Sequence, residues 1–94
     1  MTTMQDVMKL NRSIGHHFFD EDTMRFFNSR IETDLLNDKF FVTSEQGPHM
    51  ARAFTVRRVN DGGTIGSIGA GFMGYVTRDE AIQAIQWVGG NNDE

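Results

Sequence analysis

No four residues constrain this chain more than Asn60-Asp61-Gly62-Gly63. Aspartate followed by glycine between alternating segments is the strongest short-range signal for a tight hairpin, because glycine enters the left-handed backbone region at no steric cost. The residues ahead of it do alternate. From Arg52 to Asn60, Phe54 and Val56 fall on one side of an extended chain, and Thr55, Arg57 and Val59 on the other. The run starting at Lys39 behaves likewise, with Phe40, Val42 and Ser44 on one face and Phe41, Thr43 and Glu45 on the opposite one. Between these runs, Gln46 to Met50 reads as a loop, since Pro48 has no amide hydrogen for a strand ladder. Beyond the turn, Thr64 to Ile68 reads as a third strand. Ile65 and Ile68 share one face only if a bulge lies between them, which Gly66 and Gly69 would permit.

Helical signals flank this meander. Thr3 to about Ile14 carries an apolar stripe of Met4, Val7, Met8, Leu10 and Ile14, with Thr3 and Asp6 spaced as a capping pair and Gly15 as a stop. A second helix is expected to begin at Asp20, where Asp20, Glu21 and Asp22 complement the positive end of the helix dipole, and to fray over Thr33 to Asp38. Met24, Phe27 and Ile31 form its stripe, Phe19 and Met24 a hydrophobic staple, and Arg30 lies in its last turn. Thr77-Arg78-Asp79-Glu80 is a capping box that opens a last helix. Ala81, Ile82, Ala84, Ile85 and Val88 face inward from it, Trp87 lies on its flank, and Gly89-Gly90 ends it. The expected fold is therefore α+β: two N-terminal helices, a three-stranded antiparallel meander and a C-terminal helix, with the helices covering one face of the sheet. One domain spans 1–94, divided into a helical part at 1–38, the meander at 39–76, the last helix at 77–88 and a flexible tail at 89–94. A chain of 94 residues buries roughly 60–65% of the surface its unfolded form exposes, enough to fold without staples.

Several function classes fall away. With no cysteine there is no disulfide framework, Cys-based zinc site or thiol nucleophile. The first residues lack the basic-then-apolar pattern of a signal peptide, and no apolar run reaches the roughly 18–20 residues of a membrane span, so the expected location is cytoplasmic. Thirteen acids against nine bases, a net charge of −4, speak against nucleic acid as the main partner. Gly69-Ala70-Gly71-Phe72-Met73-Gly74 matches the dinucleotide-binding fingerprint but lacks its context. The capping box starts the helix several residues too late, and the twenty residues after Gly74 cannot supply a second parallel strand with an acid at its tip. The run reads instead as a pliable strand end that either carries Phe72 and Met73 outward or tucks them under the last helix, the second being the preferred placement. His16, His17 and His49 do not make a metal-ligand pattern, and no serine has an activating neighbour. No cofactor, metal or enzymatic activity is expected.

The remaining candidates are contact residues. If the helices cover the side bearing Phe54 and Val56, then Phe41, Thr43, Thr55 and Arg57 form an open sheet face. Arg52 and Arg58 then lie at the core edges, from which arginine stems can snorkel outward. Phe72 on its glycine-rich backbone and the acidic run Asp20, Glu21 and Asp22 complete the candidate contact set.

Lys39-Phe40-Phe41-Val42-Thr43-Ser44-Glu45, Arg52-Ala53-Phe54-Thr55-Val56-Arg57 and Gly74-Tyr75-Val76-Thr77-Arg78, followed by Ala81, resemble a family of small uncharacterised accessory proteins of tailed bacteriophages. The resemblance spans roughly residues 39–88. Ala70-Gly71 stands where that family would have a bulkier, more polar segment. The resemblance implies a phage accessory protein acting in the cytoplasm of an infected bacterium, and no chemistry. Joined to the absence of a catalytic constellation and the acidic N-terminal half, it leads to the expectation of a non-enzymatic protein that binds and modulates or inhibits a host protein. An anti-CRISPR-type inhibitor of a nucleic-acid-handling defence complex is one form of this, since acidic proteins occupy basic channels by charge complementarity. The alternatives are a nucleic-acid-binding domain that uses the arginine strand and a homodimer formed through the apolar first two helices.

Overall fold

The Asp-Gly hairpin is present, with a turn one residue longer than the dipeptide implies. In a computed structural model that describes residues 3–91, and side chains as far as 86, the Asn60 amide donates to Thr64 O at 2.9 Å and the Gly63 amide to Asn60 O at 2.9 Å. Gly63, with φ +97°, is the turn residue that takes the left-handed conformation. This is the three-residue hairpin loop that closes on a left-handed glycine. It joins β3 (Ala53–Val59) to β4 (Ile65–Ile68) in unbroken register, from Val59 opposite Ile65 to Val56 opposite Ile68.

The remaining elements are α1 (Met4–Ser13), α2 (Glu21–Phe26), β1 (Arg30–Ile31), β2 (Phe40–Glu45) and α3 (Arg78–Asn91). The α+β class is as expected, but the sheet has four antiparallel strands in the order β1-β2-β3-β4 rather than three. The extra strand comes from residues assigned to the second helix. Asn28 takes a left-handed conformation, φ +51°, just after α2 and reverses the chain. Arg30 and Ile31 then pair with Ser44 and Thr43 on the free edge of β2. Satisfying an exposed strand edge outweighs the few tenths of a kcal/mol per residue by which helix propensity differs.

The larger correction concerns cover. Helices were expected on one face, yet both faces of the sheet are packed. On one side Ala81 and Ile85 of α3 lie against Phe40, Val42 and Val56. On the other, Met4 and Val7 of α1 and Phe19 lie against Phe41, which has no exposed surface. Adjacent apolar residues at Phe40 and Phe41 point to opposite faces, so each needs its own cover, and every position of β2 is buried. The same arrangement removes the need for a bulge in β4. Ile68 joins the α3 side and Ile65 the α1 side.

Three local details position the site. Thr3 and Asp6 form a reciprocal capping box at 3.1 and 3.2 Å. In α1 the buried positions are Met4, Val7 and Asn11, while Leu10 and Ile14 are exposed; Asn11 Nδ2 donates to Gly63 O at 2.9 Å and so ties the helix to the hairpin turn. At α3, Thr77 Oγ1 accepts from the Glu80 amide at 3.1 Å, while Glu80 takes the Val76 amide at 3.2 Å, one residue earlier than in the usual box. The helix runs on through Gly89 and Gly90, because a helical glycine costs only about 1 kcal/mol. The side chains of Trp87 and Val88, and so the flank and inward placements expected of them, are not described, and of the tail expected at 89–94 residues 92–94 lie outside the described residues. No described helix is long and apolar enough to cross a membrane.

Candidate functional site

The most concentrated chemistry lies on the α1 side of the sheet, at the end away from the hairpin turn. Strand alternation sets Thr43 and Glu45 of β2 and Thr55 and Arg57 of β3 on the same face, with Thr43 directly opposite Thr55. Glu45 is buried to 1% exposure and its carboxylate is surrounded by donors. Thr55 Oγ1 donates to Oε1 at 2.8 Å, Thr43 Oγ1 to Oε2 at 2.7 Å, and Arg57 Nη2 to Oε2 at 3.2 Å. Ser29 Oγ, just ahead of β1, donates to the same oxygen over 3.4 Å. Arg57 Nε in turn donates to Thr43 Oγ1 at 3.0 Å, and Thr55 Oγ1 accepts the Met73 amide at 2.7 Å. The Arg57 side chain keeps 12% of its surface exposed. A buried carboxylate persists when paired and hydrogen-bonded, and this network supplies both conditions.

Above this network stands an aromatic stack. The Arg57 guanidinium lies 5.0 Å from the Phe18 ring centre and 5.6 Å from that of Phe72. Phe18 meets Phe19 and Phe41 edge-on, at 4.8 and 6.3 Å, and continues the stack into the core. Phe72 meets Phe27 at 6.1 Å, and Phe27 meets Phe26 at 4.9 Å, which carries the series to the surface. Six of the eight phenylalanines thus run from the buried sheet face to solvent, with one arginine in the middle. Between them opens a pocket of about 340 Å³, walled by Phe18, Met24, Phe27 and Phe72. Thr23, Ser29 and Arg57 are its polar groups. Phe26, Phe27 and Phe72 remain 81, 45 and 50% exposed around it.

The contact residues anticipated from the sequence separate into groups. Phe41, Thr43, Thr55 and Arg57 share a face, as their parity requires, but that face is not open: Phe41, Thr43 and Thr55 are fully buried. They were assigned to solvent because only one face was taken to be covered. Arg52, Arg57 and Arg58 do not make a common basic surface. Arg52 Nη1 donates to Asn28 O at 3.0 Å and Ser44 Oγ at 2.7 Å, tying the β1 turn to β2. Arg58 is exposed on the opposite side, paired in register with Phe40. Asp20 pairs with His17 at 2.7 Å, while Glu21 and Asp22 lie near Arg25 on the surface and do not line the Arg57 pocket. Phe72 does reach the site, although neither it nor Met73 tucks under α3; the run from Gly69 turns toward the α1 side instead.

Sequence reasoning missed Glu45 as the hub, Phe18 as a pocket wall and Ser29 as a donor. The signal for Glu45 was its parity with Thr43, and across the strand with Thr55 and Arg57. Among the described residues, no three His, Asp or Glu side chains are grouped to hold a metal ion. The model of a family of unknown function, DUF7447, matches residues 3–86, and the chain belongs to that family. None of the curated proteins and none of the solved structures compared with the chain matches it.

Proposed function

We propose that this DUF7447 member is a non-enzymatic binding protein whose working surface is the aromatic face of Phe26, Phe27 and Phe72 around the Arg57 pocket. One observation carries the reading. Two half-exposed phenylalanines, Phe27 and Phe72, wall an apolar pocket, and the exposed Phe26 packs edge-on against Phe27 beside it, in a fold whose two covered sheet faces bury other aromatic residues. A contiguous exposed apolar patch of this kind marks an interaction site, and aromatic and arginine side chains are the types that dominate interface energetics. A protein suits this face better than nucleic acid. The Arg57 charge is balanced by Glu45, Arg52 and Arg58 point elsewhere, and the net charge is −4. The resemblance to phage accessory proteins makes a cytoplasmic protein of an infected bacterium the partner class to try first. Modulation or inhibition of that protein, a nucleic-acid-handling defence complex included, would follow from occupying it.

The test is a capture experiment from host lysate with the wild type, Arg58→Ala, and Phe27→Ser combined with Phe72→Ala. A discrete partner retained by the first two and lost from the third is the expected result. Equal retention by all three would remove the aromatic face as the working surface. A wild-type dimer by light scattering that becomes monomeric in the double variant would make the partner a second copy of the chain.

A further inference from the structure

We infer that the Arg57 pocket takes one aromatic side chain of a partner polypeptide, while a carbonyl oxygen of the same peptide accepts a hydrogen bond from Arg57 Nη1. The inference rests on the binding reading above and specifies the partner's chemistry. The walls supply the first half. Phe72 and Phe27 already meet edge to face, 6.1 Å apart at 74°, and the Phe18 ring lies 5.0 Å from the guanidinium. An aromatic occupant would extend this series with the offset or edge contacts that are favourable beyond the area they bury. An aliphatic occupant would gain the area alone. The volume, about 340 Å³, lies at the low end of the roughly 300–1,000 Å³ typical of ligand pockets, which suits a single ring with its peptide unit.

The guanidinium supplies the second half. Its Nε is committed to Thr43 and its Nη2 to Glu45, whereas Nη1 donates to no described residue, and Arg57 is one of the residues lining the pocket. An arginine has five donors in a fixed fork, so this end calls for an acceptor. The acceptor should be neutral. Glu45 Oε2 lies 3.2 Å from Nη2 and already offsets the positive charge, so a phosphate or carboxylate entering here would meet a compensated cation with a carboxylate behind it. A peptide carbonyl accepts the hydrogen bond without that repulsion.

The experiment titrates the full-length 15N-labelled protein with N-acetyl-tryptophanamide and follows the Ser29 and Met73 amides and the Arg57 Nε–H by NMR. Saturable shifts confined to these groups are expected. They should vanish in Phe72→Ala, which removes a half-exposed ring and no core contact of the sheet. N-acetyl-leucinamide, and 3-methylindole (which has the ring but no carbonyl), should each bind about tenfold more weakly. Absence of saturable shifts with the aromatic amide, or equal binding of the leucine analogue, overturns the aromatic assignment. Equal binding of 3-methylindole overturns the carbonyl contact, and tighter binding of uridine monophosphate replaces the peptide by a nucleotide. Partner capture that depends on Phe27 and Phe72, found without any aromatic-amide binding, would sink this inference alone. Loss of both results would take the binding reading with it.

Discussion

Replacing Glu45 by glutamine tests whether the Arg57 site is held by a charge pair or by hydrogen bonds alone. Glutamine keeps the shape and one acceptor oxygen, but cannot accept from Thr55 at one end and from Thr43 and Arg57 at the other. Removing one partner of a buried pair costs about 3–5 kcal/mol, because the remaining charge stays buried and uncompensated. Here the cost is lower. Arg57 retains 12% exposure and keeps the faces of Phe18 and Phe72, each a cation–π contact of about 0.5–2 kcal/mol. The expected loss is about 2–4 kcal/mol, against a total stability of roughly 5–14 kcal/mol for a domain this size. Arg57→Met should cost a similar amount, since it strands the Glu45 carboxylate. Combining the two removes both charges, so the double variant should be less destabilised than the sum of the singles by about 2 kcal/mol. Urea unfolding followed by far-ultraviolet circular dichroism measures all three, with an unchanged slope confirming that the unfolding reaction is the same. Additivity within about 0.5 kcal/mol would refute the charge-pair account, because that is how independent sites behave.

Gly63→Ala should destabilise by more than about 1 kcal/mol, since φ is +97° and a Cβ there would lie 2.7 Å from Leu10 Cγ. Adding Leu10→Ala should recover part of the loss in thermal melts, and failure to do so would mean backbone strain is the whole effect. Asn11→Ala should cost about 1–3 kcal/mol through the unpaired Gly63 carbonyl, with faster amide exchange at Asn60 and Gly63 as its local signature. Phe26→Ser should leave the melting temperature unchanged and raise solubility, because the ring is 81% exposed. A clear loss of stability there would show that Phe26 supports the pocket rather than rimming it.

The site was partly visible in the residue pattern. Parity alone set Phe41, Thr43 and Glu45 on one face of β2, and Thr55 and Arg57 on one face of β3, which is the side-chain set that the register brings together. What parity cannot supply is which face meets solvent. That depended on α1 and the Phe18-Phe19 segment folding over the sheet, a contact between residues far apart in the chain. Ser29 and Ile31 were hidden differently. Their segment carries a helix-compatible spacing, and only the open edge of β2 turns it into a strand.

By itself the amino-acid sequence determined the elements whose signals are local: the capped starts of α1 and α3, the alternation of β2 and β3, and the glycine hairpin between β3 and β4. Each rests on hydrogen bonds or steric limits spanning a few residues, and those are legible wherever they occur. The tertiary structure alone decided that Asp61-Gly62-Gly63 closes through a left-handed Gly63, docked by Asn11, and not through a two-residue turn. It alone decided that the sheet is covered on both sides, which buries the Glu45 carboxylate and leaves Phe26, Phe27 and Phe72 outside. Burial is settled by what packs against a residue from elsewhere in the chain, and no local pattern carries that information.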